Sequence, residues 1–387
     1  MFLIDGPYVS NYLKQTLSRH QIPVVKTAFA RKELSLLPIR FIEESEAILS
    51  CEENSEQQLY TNSENALEWI YSNLPGSERV DLLKQVKDKV LFRKTLLQIH
   101  PGFFFRGYHY SDLPSVNASE LPYPIILKPA VGFFSLGVQL IEDESAWKLA
   151  LNDLDELRQV NQGIYPTNVL DNSAFILEEV IPGDEFAIDC YFDSEGHVVI
   201  LNMMKHLFAS GADVNDRVYI TSAGLMKAYL NPIQNYLDRL GALFNLKNFQ
   251  AHIEVRIDGD EIMAIEINPL RFGGWCSTPD LSQYAWDMNI YEALINQDRP
   301  DWAKLCQLNP NTVFALIVLN NSTGKPGKDI QNFDYDALLK TIKKPLELRK
   351  TNFRQFPLFG FLMCRVPAND LSELHGLLHS DLTEYII

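Results

Sequence analysis

The stretch 251–274 constrains this chain more than any other. Ala251-His252-Ile253-Glu254-Val255-Arg256-Ile257 alternates in polarity, and after a glycine-containing turn comes Ile262-Met263-Ala264-Ile265-Glu266-Ile267-Asn268-Pro269. A period of two marks strands, and the short turn between them makes an antiparallel hairpin. His252, Glu254 and Arg256 then share a face of the first strand, and Glu266 and Asn268 share a face of the second. Pairing across the ladder can bring Glu254, Glu266 and Asn268 together. Two carboxylates and an amide oxygen are hard donors, as Mg²⁺ requires. The alternative is a solvent-facing polar row, which fits less well because Glu266 interrupts an otherwise apolar strand.

Two further stretches carry chemistry. Residues 125–127 are an apolar run ending at Lys128-Pro129, followed by a turn with Gly132, Ser135 and Gly137 and a second apolar run from Val138. That pattern predicts a hairpin whose tip offers backbone N–H groups, a hydroxyl and an ammonium, a combination suited to a polyphosphate. Alone it is also the pattern of an ordinary solvated hairpin. In 174–185 a strand ends in Glu178-Glu179, continues through Val180-Ile181, and breaks at Pro182-Gly183 before Asp184-Glu185.

At 387 residues the chain is too long for one core, so two or three domains are expected. The net charge of −16 argues against a nucleic-acid partner, yet a nucleotide pocket needs only a few local cations. Five scattered cysteines without a C-x-x-C pair suggest a reducing compartment. Asp5 stands where a signal peptide needs its apolar core, and no apolar run approaches ~20 residues. A soluble cytoplasmic protein without a membrane partner is therefore expected.

In chain order, residues 2–4, a helix around Tyr12, Leu13 and Leu17, and residues 22–25 make a β-α-β opening without G-x-G-x-x-G. The acidic stretch 43–56 reads as a loop or solvated helix face, and 66–74 as a helix. Residues 80–99 read as one longer helix, whose bases (Lys89, Arg93, Lys94) spacing alone assigns to a solvated face. Helices are also predicted near 147–160 and 231–244, and strands at 186–192 and 198–204. From Asn311 a small α+β appendix begins, and the stretches 209–223 and 275–284 read as loops that build a substrate pocket. The loop 322–327 lacks the full phosphate-loop pattern.

Taken together, the lysine-led glycine loop, the Glu-Glu hinge with Pro-Gly, and the Glu…Glu-x-Asn-Pro-x-Arg-x-Gly-Gly strand pair resemble the ATP-grasp superfamily from about 88 to 302. The resemblance implies two α+β subdomains gripping ATP, in a chain of mixed α/β and α+β class. It places an N-terminal β-α-β domain at 1–87, the ATP-grasp domain at 88–307 with its hinge near 178–185, and a C-terminal α+β subdomain at 308–387.

It also implies roles for particular residues. Lys89 and Lys128 would contact the phosphates under a lid containing Ser135 and Gly137. Glu178, Glu179 and Ile181 would meet adenine, Glu185 the ribose, and Lys205 a further phosphate. Glu254, Glu266 and Asn268 would hold Mg²⁺ or Mn²⁺, with Arg271 beside the transferred phosphate. Phe133 and Phe134 depart from the small residues common in such lids, and either seal the site or anchor the tip. His252 reads equally as a substrate contact or a satisfied polar residue.

The implied activity is ATP-dependent ligation of a small carboxylate to an amine, with amino-acid-like substrates, and the resemblance is compatible with a homodimer. A carboxylase or small-molecule kinase on the same fold, or a non-catalytic nucleotide-binding protein, are the alternatives. Adenine binding alone does not call for Lys128, Glu254, Glu266, Asn268 and Arg271 together.

Overall fold

The structure, a computed structural model, describes residues 1–132, 137–161, 171–210 and 217–387. It contains two compact units. One is built from Met1–Gly183, Cys190–Val198 and Tyr236–Cys276, the other from Asp184–Asp189, Val199–Asn235 and Ser277–Ile387. Neither is a single run of sequence.

The first unit opens with a parallel sheet of four two-residue strands, in the order Phe41–Ile42, Val24–Val25, Phe2–Leu3, Tyr60–Thr61. Parallel neighbours need crossovers, and the helices Asn11–Arg19, Ala28–Glu33 and Glu44–Glu53 lie between them in sequence. Ser10 and Thr27 cap the first two helices by accepting the N–H groups of Leu13 and Ala30. The acidic stretch is thus the third helix.

The pattern over 80–99 is two helices, Glu78–Lys87 and Lys89–Leu96. Asp88 separates them with ψ 108°, and its carboxylate accepts the N–H groups of Val90 (2.8 Å) and Leu91 (3.1 Å). A capping aspartate offers the backbone an alternative to helix continuation.

An antiparallel sheet follows, in the order Phe105–His109, Asp171–Glu179, Ile125–Val131, Gln139–Ile141. The expected hairpin is present, but its first strand does not stop at Lys128-Pro129. It runs on to Val131 because its other edge pairs with Asp171–Glu179, with Lys128 opposite Ile176 and Pro129 opposite Phe175. Trp147 and Leu154 of the helix Glu144–Asn161 pack with Ile125, Leu127, Phe175 and Leu177 in one core.

The hairpin Phe249–Asp258 and Glu261–Pro269 sets His252 opposite Asn268 and Glu254 opposite Glu266. It then slips. Val255 pairs with Ala264, which leaves Ile265 as the extra residue of a bulge.

In the second unit, antiparallel strands Val198–Leu207, Val218–Ser222, Thr312–Asn320, Leu358–Pro367 and Pro345–Lys350 are neighbours in that order. Ala315, Ile317, Phe359 and Leu362 form a core with Leu374 and Leu378 of the helix Ser372–His379. Two sequence expectations are corrected here. The stretches read as loops contain the strand Val218–Ser222 and the helix Ser277–Trp286. The C-terminal segment is no appendix, since Thr312–Asn320 pairs along the whole of Val218–Ser222. All five cysteines are free and buried. Among the described residues no helix is long and apolar enough to cross a membrane.

Gly183 ends the hinge segment with φ +94°, and a Cβ there would lie 2.1 Å from the carbonyl oxygen of Ile257. Both conformation and space demand glycine. Gly183→Ala is expected to cost about 2 kcal/mol or more. Urea unfolding checks this, and an unchanged midpoint would contradict it.

Candidate functional site

The site-forming side chains of the first unit cluster around one face of the short helix Lys89–Leu96. Lys89 and Arg93 are one helical turn apart and so project together. Both are buried, at 7% and 1% exposure, where spacing alone had put them on a solvated face. The signal for burial was present in Asp88, a capping residue type that restarts the helix and turns Lys89, Phe92, Arg93 and Leu96 inward.

Arg93 reaches Glu178 with two nitrogens, Nε to Oε2 at 2.6 Å and Nη2 to Oε1 at 3.3 Å. Its Nη1 donates to the carbonyl of Ala264 (2.7 Å), and Nη2 also donates to that of Ile265 (3.1 Å). The bulge carbonyl thereby finds its donor. Lys128 sits diagonally across the ladder from Glu178 on the same face, and its Nζ lies 2.6 Å from Oε1. Glu178 therefore carries two cations.

Burial would raise the Glu178 carboxyl, but Arg93 and Lys128 outweigh it and hold it at about 2. Burial pushes Lys128 down while Glu178 holds its proton on. Two cations keep the carboxylate ionised, so the pair stays charged.

A second group joins the helix to the metal-type hairpin. Lys89 Nζ lies 3.0 Å from Glu266 Oε2 and 3.3 Å from the Gly132 carbonyl, just before the lid. Burial is opposed by Lys89 and Lys87, which hold Glu266 well below the usual carboxylate range. Asn268 Nδ2 donates to Glu266 Oε1 (3.0 Å), which turns its Oδ1 the other way. That Oδ1 is buried and has no hydrogen-bond partner.

Glu254 lies opposite Glu266, and His252 Nε2 is 3.7 Å from Glu254 Oε1. An orphaned amide oxygen beside two carboxylates fits a hard divalent cation such as Mg²⁺ or Mn²⁺. Among the described residues no three His, Cys, Asp or Glu side chains form a metal set, as expected when the third donor is an amide.

In a third group Arg271 was expected, but its neighbours Glu64 and Lys87 escaped sequence reasoning. Glu64, from the strand end after Tyr60–Thr61, takes Lys87 Nζ at 3.0 Å on Oε2 and Arg271 at 3.0 and 2.7 Å on Oε1. Against the effect of burial, Lys87 and Arg271 hold its carboxyl at about 2. No local spacing links Glu64 to Arg271, which are 207 positions apart.

Other expected residues have partners within the fold. Glu179 Oε1 accepts the Phe104 N–H (2.8 Å), so the carboxylates of both Glu178 and Glu179 have partners within the fold. The Ile181 carbonyl accepts from Arg256 (3.0 Å). In the second unit Glu185 pairs with His206 Nδ1 (3.0 Å) and Lys205 with Asp184 (2.6 Å). Asp184 and Glu185 are consecutive in one strand, so Lys205 and Glu185 occupy opposite faces and do not converge on one ligand.

Gly137 has φ +75°, and a Cβ there would press on Pro129 at 3.3 Å. Phe133, Phe134 and Ser135 lie outside the described residues.

Comparison with known proteins agrees with the fold. The ATP-grasp domain family matches residues 121–279. An L-amino acid ligase from Bacillus licheniformis superposes with TM-score 0.67 at 16% identity, covering 100% of this chain and 97% of that one. An N5-carboxyaminoimidazole synthase from Aspergillus clavatus, solved with ADP and 5-aminoimidazole ribonucleotide, gives 0.60 at 13%, covering 99% and 98%. The carbamoyl phosphate synthase large chain of Synechocystis sp. is 23% identical over 194 residues, 49% of this chain. That match spans 17% of the relative, under a fifth of its length. Residues 121–279 thus match an ATP-grasp domain, and the chain shares the fold of these solved structures. Its fold is that of ATP-dependent ligases and carboxylases.

Because Glu64 and Glu178 are held near 2, below the ordinary 4.5, their contribution is full above 4.5 and is lost as pH falls toward 2. The urea midpoint is expected to drop through that window. Glu178→Gln should flatten the drop while costing about 3 kcal/mol or more at neutral pH. An equally steep acid profile in the variant would rule out this assignment.

Proposed function

We propose that the protein is an ATP-dependent ligase that activates a small carboxylate as an acyl phosphate and joins it to an amine, with amino-acid-like substrates. The observation that carries the reading is the hairpin set, Glu254 opposite Glu266 with the unpartnered Asn268 Oδ1 beside them, met by Lys89 from the helix. Adenine binding alone would not need hard oxygen donors and a buried ammonium together. The full-length likeness to an L-amino acid ligase supports the choice of substrate class.

In this reading Lys89 and Lys128 draw the polyphosphate in, and Ile181 and the hinge backbone meet adenine. Glu185 meets the ribose, while Lys205, on the opposite face, drops out of the phosphate set. Glu254, Glu266 and Asn268 hold Mg²⁺ or Mn²⁺, which when bound supplies charge neutralisation on the phosphates. Arg271 stands near the transferred group, its guanidinium oriented by Glu64 and the Phe272 carbonyl.

The chemistry runs in two displacements. A carboxylate oxygen attacks the γ-phosphorus and ADP leaves. The amine nitrogen then attacks the acyl carbon and inorganic phosphate leaves, with the amine's proton passing to solvent or base. Buried cations serve the first step, which brings one anion to another. The acyl phosphate hydrolyses readily, so this reading gives the glycine loop after Lys128 the task of shutting out water.

An ADP-release assay over pooled amino acids should show turnover that needs both a carboxylate and an amine. Silence across such pairs would remove the ligase reading, and turnover with bicarbonate alone would favour a carboxylase. Glu266→Gln is expected to cut Mg²⁺-dependent turnover by about a hundredfold or more. Full activity in that variant would sink the metal assignment.

A further inference from the structure

Lys128 is not free to meet an anion, because its Nζ is 2.6 Å from Glu178 Oε1 in a buried setting, with 6% and 2% of the two residues exposed. A phosphate that takes this ammonium must take it away from Glu178. If Lys128 were the only counter-ion, the exchange would strand an unpaired carboxylate in the interior, which is strongly unfavourable. Arg93 removes that difficulty. It holds both oxygens of the same carboxylate, and the carbonyls of Ala264 and Ile265 fix it from behind.

We propose that Arg93 is the positioning residue for nucleotide binding: it remains as the counter-ion of Glu178 while Lys128 exchanges that carboxylate for a phosphate. The inference rests on the reading above that Lys128 meets the ATP phosphates, and it adds a residue to which that reading gives no role. Arg93 itself touches no ligand. It acts by keeping the carboxylate paired before and after the exchange, so that Lys128 is held extended in the absence of ligand and is released at little cost. Lysine would not substitute, because a single ammonium cannot span both carboxylate oxygens and two carbonyls.

The test is titration calorimetry on the full chain with a β,γ-imido ATP analogue and Mg²⁺. Arg93→Met should weaken binding by about a hundredfold. The double variant Arg93→Met/Glu178→Gln should recover to within about tenfold of the wild type, since no carboxylate is left to strand. Tyr236→Phe, which removes a hydrogen bond to the Ala264 N–H at the same bulge, should bind as the wild type does.

A merely structural Arg93 predicts the reverse, a double variant no tighter than the single one, and that result would overturn the proposal. So would an Arg93→Met variant that binds like the wild type, or a Tyr236→Phe variant that loses as much. If Arg93→Met does not fold, the double variant decides alone, because removing both charges together is tolerated better than removing one. Folded yet a hundredfold weak, it overturns the proposal. A wild type that binds no analogue removes the phosphate reading as a whole, whereas a binding wild type with an unaffected Arg93→Met removes only this exchange.

Discussion

A guanidinium at 1% exposure has left water behind and must replace every hydrogen bond it gave up. Arg93 places four of its five N–H donors on one carboxylate and two backbone carbonyls, which join the strand of Glu178 to the strand of Glu266. Glu178 closes the hinge strand and holds Lys128. The carbonyls of Ala264 and Ile265 precede Glu266 by two residues and one. Four residues back on the same helix, Lys89 ties Glu266 to the backbone before the lid. One helical turn thus sets the positions of the phosphate-type lysine and the metal-type carboxylate together.

The chain is strongly acidic, yet its buried charges run the other way. Lys87, Lys89, Lys128, Arg93 and Arg271 are all buried, and they are shared among Glu64, Glu178 and Glu266, with Glu254 only partly covered. Interior charges interact through a lower effective dielectric than surface ones. A local surplus of cations there weighs more than many solvated carboxylates outside. The net charge of −16 therefore argues against a nucleic-acid partner without bearing on whether a polyphosphate can bind.

How much of this was legible in the sequence depended on whether the signal was local. The faces of Glu254, Glu266 and Asn268 were readable from the alternation, but their pairing was not, because counting from the turn sets Ile265 opposite Glu254 and only the bulge brings Glu266 there. The strand break at Pro182-Gly183 was readable, because proline and glycine interrupt an extended run. The bulge at Ile265 was not, since an extra residue in an apolar run leaves the composition unchanged. Spacing alone misassigned Lys89 and Arg93 because a base at helical spacing looks alike on either face until a partner is known, and the partners lie 43 or more positions away. Of the four two-residue strands in the parallel sheet, Phe2–Leu3 and Val24–Val25 were readable in the apolar runs at 2–4 and 22–25, whereas Phe41–Ile42 and Tyr60–Thr61 carry too little periodicity to be seen. Glu64 with Arg271 is the extreme case, a pair made only by the tertiary fold.

The bulge itself has a physical explanation in the edge it occupies. Glu261–Pro269 is an edge strand, so the outer N–H and C=O groups of its residues have no ladder partner. Tyr236 supplies an acceptor for the Ala264 N–H (2.8 Å), and Arg93 supplies donors for the Ala264 and Ile265 carbonyls. A regular strand would direct alternate carbonyls away from the edge, and one guanidinium could not reach two in succession. The extra residue turns consecutive carbonyls to the same side, which makes a seat for a forked donor. That seat secures the strand that presents Glu266 and Asn268, so the irregularity least visible in the sequence is what allows a single arginine to hold the hairpin against the hinge strand.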